Sequence, residues 1–144
     1  KPLEEWLMLF DTHQYRKNGD VIPSQLREME LHEDVYKEMA HMADVGVKLI
    51  ELQSWGDIGS TLNLAWQFKK QVAPNATTPE IDSIYEMALG AGASGGKLLG
   101  GGGGGFIVFG VAPKKQEGVK KALSGLTHVP FKFEVEGSKV IYRD

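Results

Sequence analysis

Residues 95–111 read GGKLLGGGGGGFIVFGV: six consecutive glycines, Gly100 to Gly105, run directly into an apolar stretch. Glycine loses more conformational freedom on folding than any other residue, so six in a row inside a folded domain are costly. Four readings compete. As a P-loop the run needs G-x-x-x-x-G-K-[ST]; Lys97 follows Gly96, but Ala91 and Leu98 stand where Gly and Ser or Thr are required. As a dinucleotide fingerprint, Gly100, Gly102 and Gly105 satisfy G-x-G-x-x-G trivially. That motif follows a strand and opens a helix, however, and here a strand follows. A flexible linker sits poorly between Lys97-Leu98-Leu99 and Phe106–Phe109 in a compact chain. The preferred reading is a glycine loop whose bare backbone approaches an anionic ligand or another loop, its successive N–H groups forming an anion-binding concavity.

Around the loop the pattern alternates between short apolar runs and helical stripes. Phe106-Ile-Val-Phe109 and Trp6-Leu-Met-Leu-Phe10 read as strands buried on both faces. Ser24 caps a long helix with Val35, Met39, Met42 and Leu49 at helical spacing, ending near Trp55-Gly56. Gly46 lies in the same stripe, where a close-packed neighbour is expected. Asp57 caps a second helix with Ile58, Leu62, Ala65 and Val72 inward, closed by Pro74-Asn75. A third opens at Thr78-Pro79, Pro in the favoured first position, with Ile81, Ile84, Tyr85, Ala88 and Leu89 on one face and Gly90 and Gly92 behind it. Pro113 opens a short helix through Val119 and Leu123. Val129, Phe131, Phe133 and Val135 then alternate with charged residues as a half-buried strand, and Gly137-Ser138 turns into a last strand, Lys139–Tyr142. The order β-ααα-β-α-β-β predicts an α+β fold: an antiparallel four-stranded sheet with helices mainly on one face.

The 144 residues, 42% hydrophobic with a formal net charge of −3, make one domain, residues 1–144, with no bias toward nucleic acid or an anionic membrane. Without cysteine there is neither a disulfide framework nor thiolate chemistry. No signal peptide and no apolar stretch near the length of a membrane span stand out, so the expected location is cytoplasmic. The chain opens Lys1-Pro2-Leu3 and reads as a trimmed piece or part of a longer protein. His13, His32, His41 and His128 are scattered, and His32 and His41 miss the i, i+4 spacing of a helical metal pair, so no metal site is expected. Met29, Met39 and Met42 read as core rather than a soft-metal box, and Trp6, Trp55 and Trp66 as core or domain-contact residues. Arg16, in a polar loop after a strand, has the planar fork that suits phosphate. Lys97 serves either as a point charge for phosphate or folds back over the loop.

Lys97-Leu-Leu-Gly-Gly-Gly-Gly-Gly-Gly-Phe106 resembles the third signature of the GHMP small-molecule kinases, roughly K-[LIV]-x-G-[AS]-G-x-G-G before a strand. Lys97, Gly100, Gly102, Gly104 and Gly105 match, and Gly101 stands where Ala or Ser is usual. The resemblance runs over nearly the whole chain. Residues 78–97 and 131–138 look most like the D-glycero-D-manno-heptose 7-phosphate kinase branch. There the first strand runs into T-G-x-x-R; Thr12 and Arg16 match, while His13 replaces the glycine with a residue whose Cβ resists positive φ.

The resemblance implies a C-terminal domain of ferredoxin-like architecture. The family's ATP signature, P-x-x-x-G-[LI]-[GS]-S-S-[AS], and its catalytic acid belong to an N-terminal domain, and neither occurs here. The implied function is the C-terminal portion of an ATP- and Mg²⁺-dependent sugar-phosphate kinase. Thr12 and Arg16 would wall the sugar site, and Gly100, Gly101, Gly102, Gly103, Gly104 and Gly105, with Lys97, would support the phosphate loop of the other domain. No catalytic residue and no tightly bound cofactor are expected on this chain alone. The expected partners are the N-terminal kinase domain, on the same or a separate chain, the sugar phosphate, and a second copy in a homodimer. The alternative is a stand-alone, non-catalytic binding or assembly module of the same fold.

Overall fold

The computed structural model describes residues 2–15, 30–134 and 136–142. In chain order the elements are β1 (Leu7–Asp11), α1 (Glu33–Glu51), α2 (Trp55–Val72), α3 (Pro79–Gly90), β2 (Gly95–Leu98), β3 (Phe106–Gly110), α4 (Gln116–Ala122) and β4 (Thr127–His128). The strands form one sheet in the order β2-β3-β1-β4, antiparallel throughout. The fold is α+β, as the pattern predicts. Among the described residues no helix is long and apolar enough to cross a membrane.

One sheet face carries the core. Register pairs Met8 with Phe109 and Phe10 with Ile107, and all four are buried. Each such side chain contributes roughly 1.5–3 kcal/mol when removed from water. Against them lies α3, whose start follows from local chemistry. The Thr78 hydroxyl accepts the Ile81 N–H at 3.2 Å, and Pro79 occupies the first turn, where its missing donor is not needed. The expected stripe of Ile81, Ile84, Tyr85 and Ala88 is buried. The Tyr85 ring packs on Phe109, and its hydroxyl sits 2.7 Å from Asn63 Oδ1 and 3.1 Å from both the N–H and the carbonyl of Gly96. Burial pushes the Tyr85 phenol above its usual pKa, against the opposing pull of the Gly96 bond.

The other face of the sheet is less covered than two doubly buried strands would give. Leu7, Leu9 and Asp11 are only half-buried, and Phe106 is exposed.

The sheet contains a strand the sequence pattern misses. Gly95-Gly96-Lys97-Leu98 has loop composition, yet it pairs with β3 from Gly95↔Gly110 to Leu98↔Ile107. Three glycines explain it. A β-carbon on Gly95 would collide with the Gly59 carbonyl of α2, and one on Gly110 would collide with Gly59 Cα. The bare backbones let α2 lie directly on the sheet, and that contact holds β2 in the ladder.

The chain's end departs from expectation in the opposite sense. Neither Val129–Val135 nor Lys139–Tyr142 forms a strand among the described residues, and β4 is only Thr127–His128. The Val129 N–H still donates to Leu9 O at 2.8 Å. Pro130 comes next and has no N–H to continue the ladder. Val140, Ile141 and Tyr142 are exposed.

The helix boundaries also shift. Ser24 lies outside the described residues; the first long helix there begins at Glu33 behind a single turn at Glu30–His32. It ends at Glu51, and Trp55-Gly56 open α2 rather than closing α1. No residue of α1 is fully buried, so Val35, Met39, Met42 and Leu49 rest on α2 instead of entering the core. Around Gly46 the expected close neighbour is absent: a β-carbon there would meet nothing within 4 Å. Of the tryptophans, Trp66 is fully buried and Trp6 and Trp55 are half-buried.

Candidate functional site

The glycine loop leaves the β2–β3 hairpin just beyond its last rung, where the Leu99 N–H donates to Phe106 O at 2.8 Å. Gly100, Gly102, Gly103, Gly104 and Gly105 all take positive φ, from 74° to 151°. Side chains rarely tolerate that region, which accounts for most of the run. Close approach accounts for the rest. A β-carbon on Gly102 would sit 2.7 Å from Ala76 Cα, and one on Gly104 would collide with the Gln14 carbonyl.

Hydrogen bonds fix the loop to the turn after β1, to the segment after α2 and to α2 itself. Gly103 N–H donates to Ala76 O at 2.7 Å, and Gly105 N–H to Gln14 O at 2.9 Å. Gly105 O accepts both the backbone N–H of Thr12 at 2.9 Å and its hydroxyl at 2.6 Å. Lys69 Nζ donates to Gly100 O at 2.7 Å. The amides of Gly101, Gly102 and Gly104 donate to no backbone acceptor among the described residues. The loop is therefore a shaped ridge of backbone, held at both ends, with amides to offer an anion.

Thr12 and the glycines are brought together, and Thr12 is 1% exposed. Its hydroxyl is engaged inside the fold, accepting the Gln14 N–H at 3.2 Å as well as donating to Gly105, so it positions the loop and the turn after β1. His13 adopts φ 54°, the left-handed geometry a glycine would take. Asp11 Oδ1 accepts its N–H at 2.8 Å, and its ring Nε2 lies 3.0 Å from Thr127 Oγ1; these contacts offset the strain of a Cβ there. Beside this turn an open depression of about 540 Å³ is bordered by Thr12, His13 and Gln14 on one side and Pro79, Glu80 and Ser83 of the α3 start on the other. Arg16 lies outside the described residues.

Lys97 stands apart from this cluster. Gly96 and Leu98 face the core, so the alternation of β2 turns Lys97 to the opposite face, beside a groove between α1 and α2. Lys69, Gln14, Glu80 and Ser83 carry no sequence motif that marks them. A lysine on a helix or a serine near a cap has no distinguishing local signal; only the fold carries Lys69 to the loop and Ser83 to the depression beside Thr12. Among the described residues no group of three or more His, Cys, Asp or Glu could hold a metal ion. The described donors do not fit Mg²⁺, and no step through a metal is assigned to this chain.

The architecture recurs in solved structures. Mevalonate kinase from L. major in complex with R-mevalonate aligns at TM-score 0.71 and 17% identity, over 85% of this chain and 40% of that one. Methanococcus jannaschii mevalonate kinase aligns at TM-score 0.70 and 21% identity, over 90% and 41%. A candidate sugar kinase from Campylobacter jejuni aligns at TM-score 0.55 and 24% identity, over 92% and 37%. At these identities the likeness is one of fold, and the chain spans about 40% of the length of the mevalonate kinases. No curated protein sequence matches it. The family profile "GHMP kinases C terminal" matches residues 47–127, which hold α2, α3, β2, the glycine loop, β3 and α4. That match covers more than half of the chain, and the chain belongs to the GHMP kinase family as a C-terminal domain.

Proposed function

We propose that this domain completes the active site of an ATP-dependent small-molecule kinase whose nucleotide-binding half is a separate N-terminal domain. The observation that carries the reading is the glycine ridge. The amides of Gly101, Gly102 and Gly104 donate to no backbone acceptor among the described residues, while Ala76, Gln14 and Thr12 hold the loop in a left-handed conformation that favours glycine. Such a ridge supports a phosphate-binding loop docked on it, and phosphoryl transfer depends on that kind of positioning and electrostatic support. ATP and Mg²⁺ would be held mainly by the N-terminal domain. The depression beside Thr12 and His13 is the proposed wall of the acceptor site.

The proposed acceptor is a phosphorylated heptose. The support is the resemblance of residues 78–97 and 131–138 to the heptose 7-phosphate branch, with Arg16 as the phosphate fork. Mevalonate is the second reading, favoured by the fold neighbours that are mevalonate kinases. The domain is also proposed to self-associate when its N-terminal partner is missing, through apolar surface that the partner would cover. A stand-alone, non-catalytic module remains the alternative in another class.

An ADP-release assay separates these. The 144-residue chain alone should stay at background. Joined to its ATP-binding domain, it should turn over heptose 7-phosphate ahead of mevalonate and galactose. Arg16→Ala should lower kcat/KM for the phosphosugar by roughly ten- to a hundredfold, the scale of a charged hydrogen bond. A preference for mevalonate would replace the heptose reading. Turnover by the isolated chain would overturn the division of labour.

A further inference from the structure

The groove between α1 and α2 lies on the sheet face opposite the core, and three observations there have no structural explanation. The first is its size and lining. It encloses about 280 Å³, with Met39, Met42 and Gly46 contributed by α1 and Ile58, Leu62 and Ala65 by α2. That volume sits just below the range of roughly 300–1,000 Å³ typical of sites for drug-sized ligands, so it fits a smaller metabolite.

The second is Gly46. A glycine in a helix interior costs about 0.5–1 kcal/mol relative to alanine. At Gly59, in the neighbouring helix, such a cost is explained by the close approach of Ser94 and Gly110. At Gly46 nothing lies within 4 Å of where a β-carbon would be, so packing does not require it. The glycine keeps the groove open.

The third is Lys97 at the groove wall. The residue is half-buried, and no hydrogen bond or ion pair answers its ammonium among the described residues. Burial alone pushes its pKa below the usual lysine range, the condition of a cation short of a counter-charge. The other polar group, the Thr61 hydroxyl, already donates to Asp57 O at 3.0 Å.

From these we infer a second ligand site, in the α1–α2 groove, for a small aliphatic anion: a short unbranched hydrocarbon body ending in a carboxylate or phosphate. The body lies along the methionine, isoleucine and leucine side chains, and the head group pairs with Lys97. Thioether side chains adapt to an irregular aliphatic outline. A nucleotide or sugar is disfavoured, because the lining has no aromatic ring to stack a base and too few polar partners for a ring of hydroxyls. The site is separate from the glycine ridge and does not depend on the kinase reading.

The test uses the 144-residue chain labelled at the methionine methyls and titrated with octanoate, then with octanol. Saturable shifts are expected at Met39 and Met42, with Met8 in the core and Met87 on the exposed side of α3 unmoved. Octanol should bind roughly tenfold more weakly, the scale of a lost charge-assisted bond. Lys97→Met should bring octanoate down to the level of octanol. Gly46→Leu should abolish binding of both. Equal affinity for the acid and the alcohol would overturn the proposal, as would unaltered binding by Gly46→Leu. The comparison of the two ligands on the unmodified chain decides even if the leucine variant fails to fold. Shifts at Met39 and Met42 that follow protein concentration without ligand would give the groove to a second copy of the chain and also overturn it.

Discussion

Gly102, inside a run of six glycines, and Gly46, alone in a helix, differ in what lies where a side chain would be. At Gly102 the space is filled by the backbone of Ala76, and φ is 102°. At Gly46 the backbone is ordinary helix and the space is empty. The loop glycine is demanded by the fold. The helix glycine lowers stability with nothing in the fold requiring it. The two glycines thus report opposite things, a contact in one region and a vacancy in the other.

The sharpest way to break this comparison is Gly102→Ala. Left-handed strain and a forced shift of Ala76 should together cost about 3 kcal/mol. Chemical denaturation should show a large drop in midpoint, and a loss under 1 kcal/mol would mean the loop is a pliable spacer. Next is Thr12→Val, which keeps the shape and removes the hydroxyl from Gly105 O and Gln14 N–H. Leaving those groups short of a partner should cost about 2 kcal/mol, read from the same denaturation curves. Gly100→Ala isolates conformation from contact, since its φ is 74° with nothing within 4 Å. It should cost about 1 kcal/mol. A loss matching that of Gly102→Ala would show that strain alone, and not the Ala76 contact, dictates the loop. The smallest change is expected at Gly46, where Ala should raise stability by about 0.5–1 kcal/mol and the melting temperature with it. Destabilisation there would reveal a hidden neighbour.

The core was legible because its signals are local and periodic. The α3 stripe, its Thr78-Pro79 start and the apolar runs of β1 and β3 each follow from residues a few positions apart. What escaped depends on distant partners. Gly95-Gly96 becomes a strand only because Gly59, far earlier in the chain, offers a bare helix backbone to lie against. Phe131 and Phe133 alternate like a strand, but Pro130 interrupts the donors that would join them to β1. The candidate site divides the same way. The glycine ridge and Thr12 stand out by composition and motif, whereas the course of α2 brings Lys69 to the loop and that of α3 brings Glu80 and Ser83 to the depression beside Thr12. Lys97 reads in the sequence as a point charge for phosphate or a side chain folded over the loop, and β-strand alternation turns it to the groove instead of the ridge.

The pairing of β1 with β3 has a consequence for how the chain is born. Thr12 and Gly105 meet across 93 positions, and all three long helices lie between the two strands. Closing so long a loop delays the reward for pairing, and domains dominated by such separations fold slowly. During synthesis, Met8 and Phe10 leave the ribosome well before Ile107 and Phe109 exist to cover them. The helices have time to form and meet one another first, while an apolar strand waits uncovered. Shielding of that strand by a chaperone, or by an adjoining folded domain, would then govern the yield of native protein more than the stability of the finished fold does.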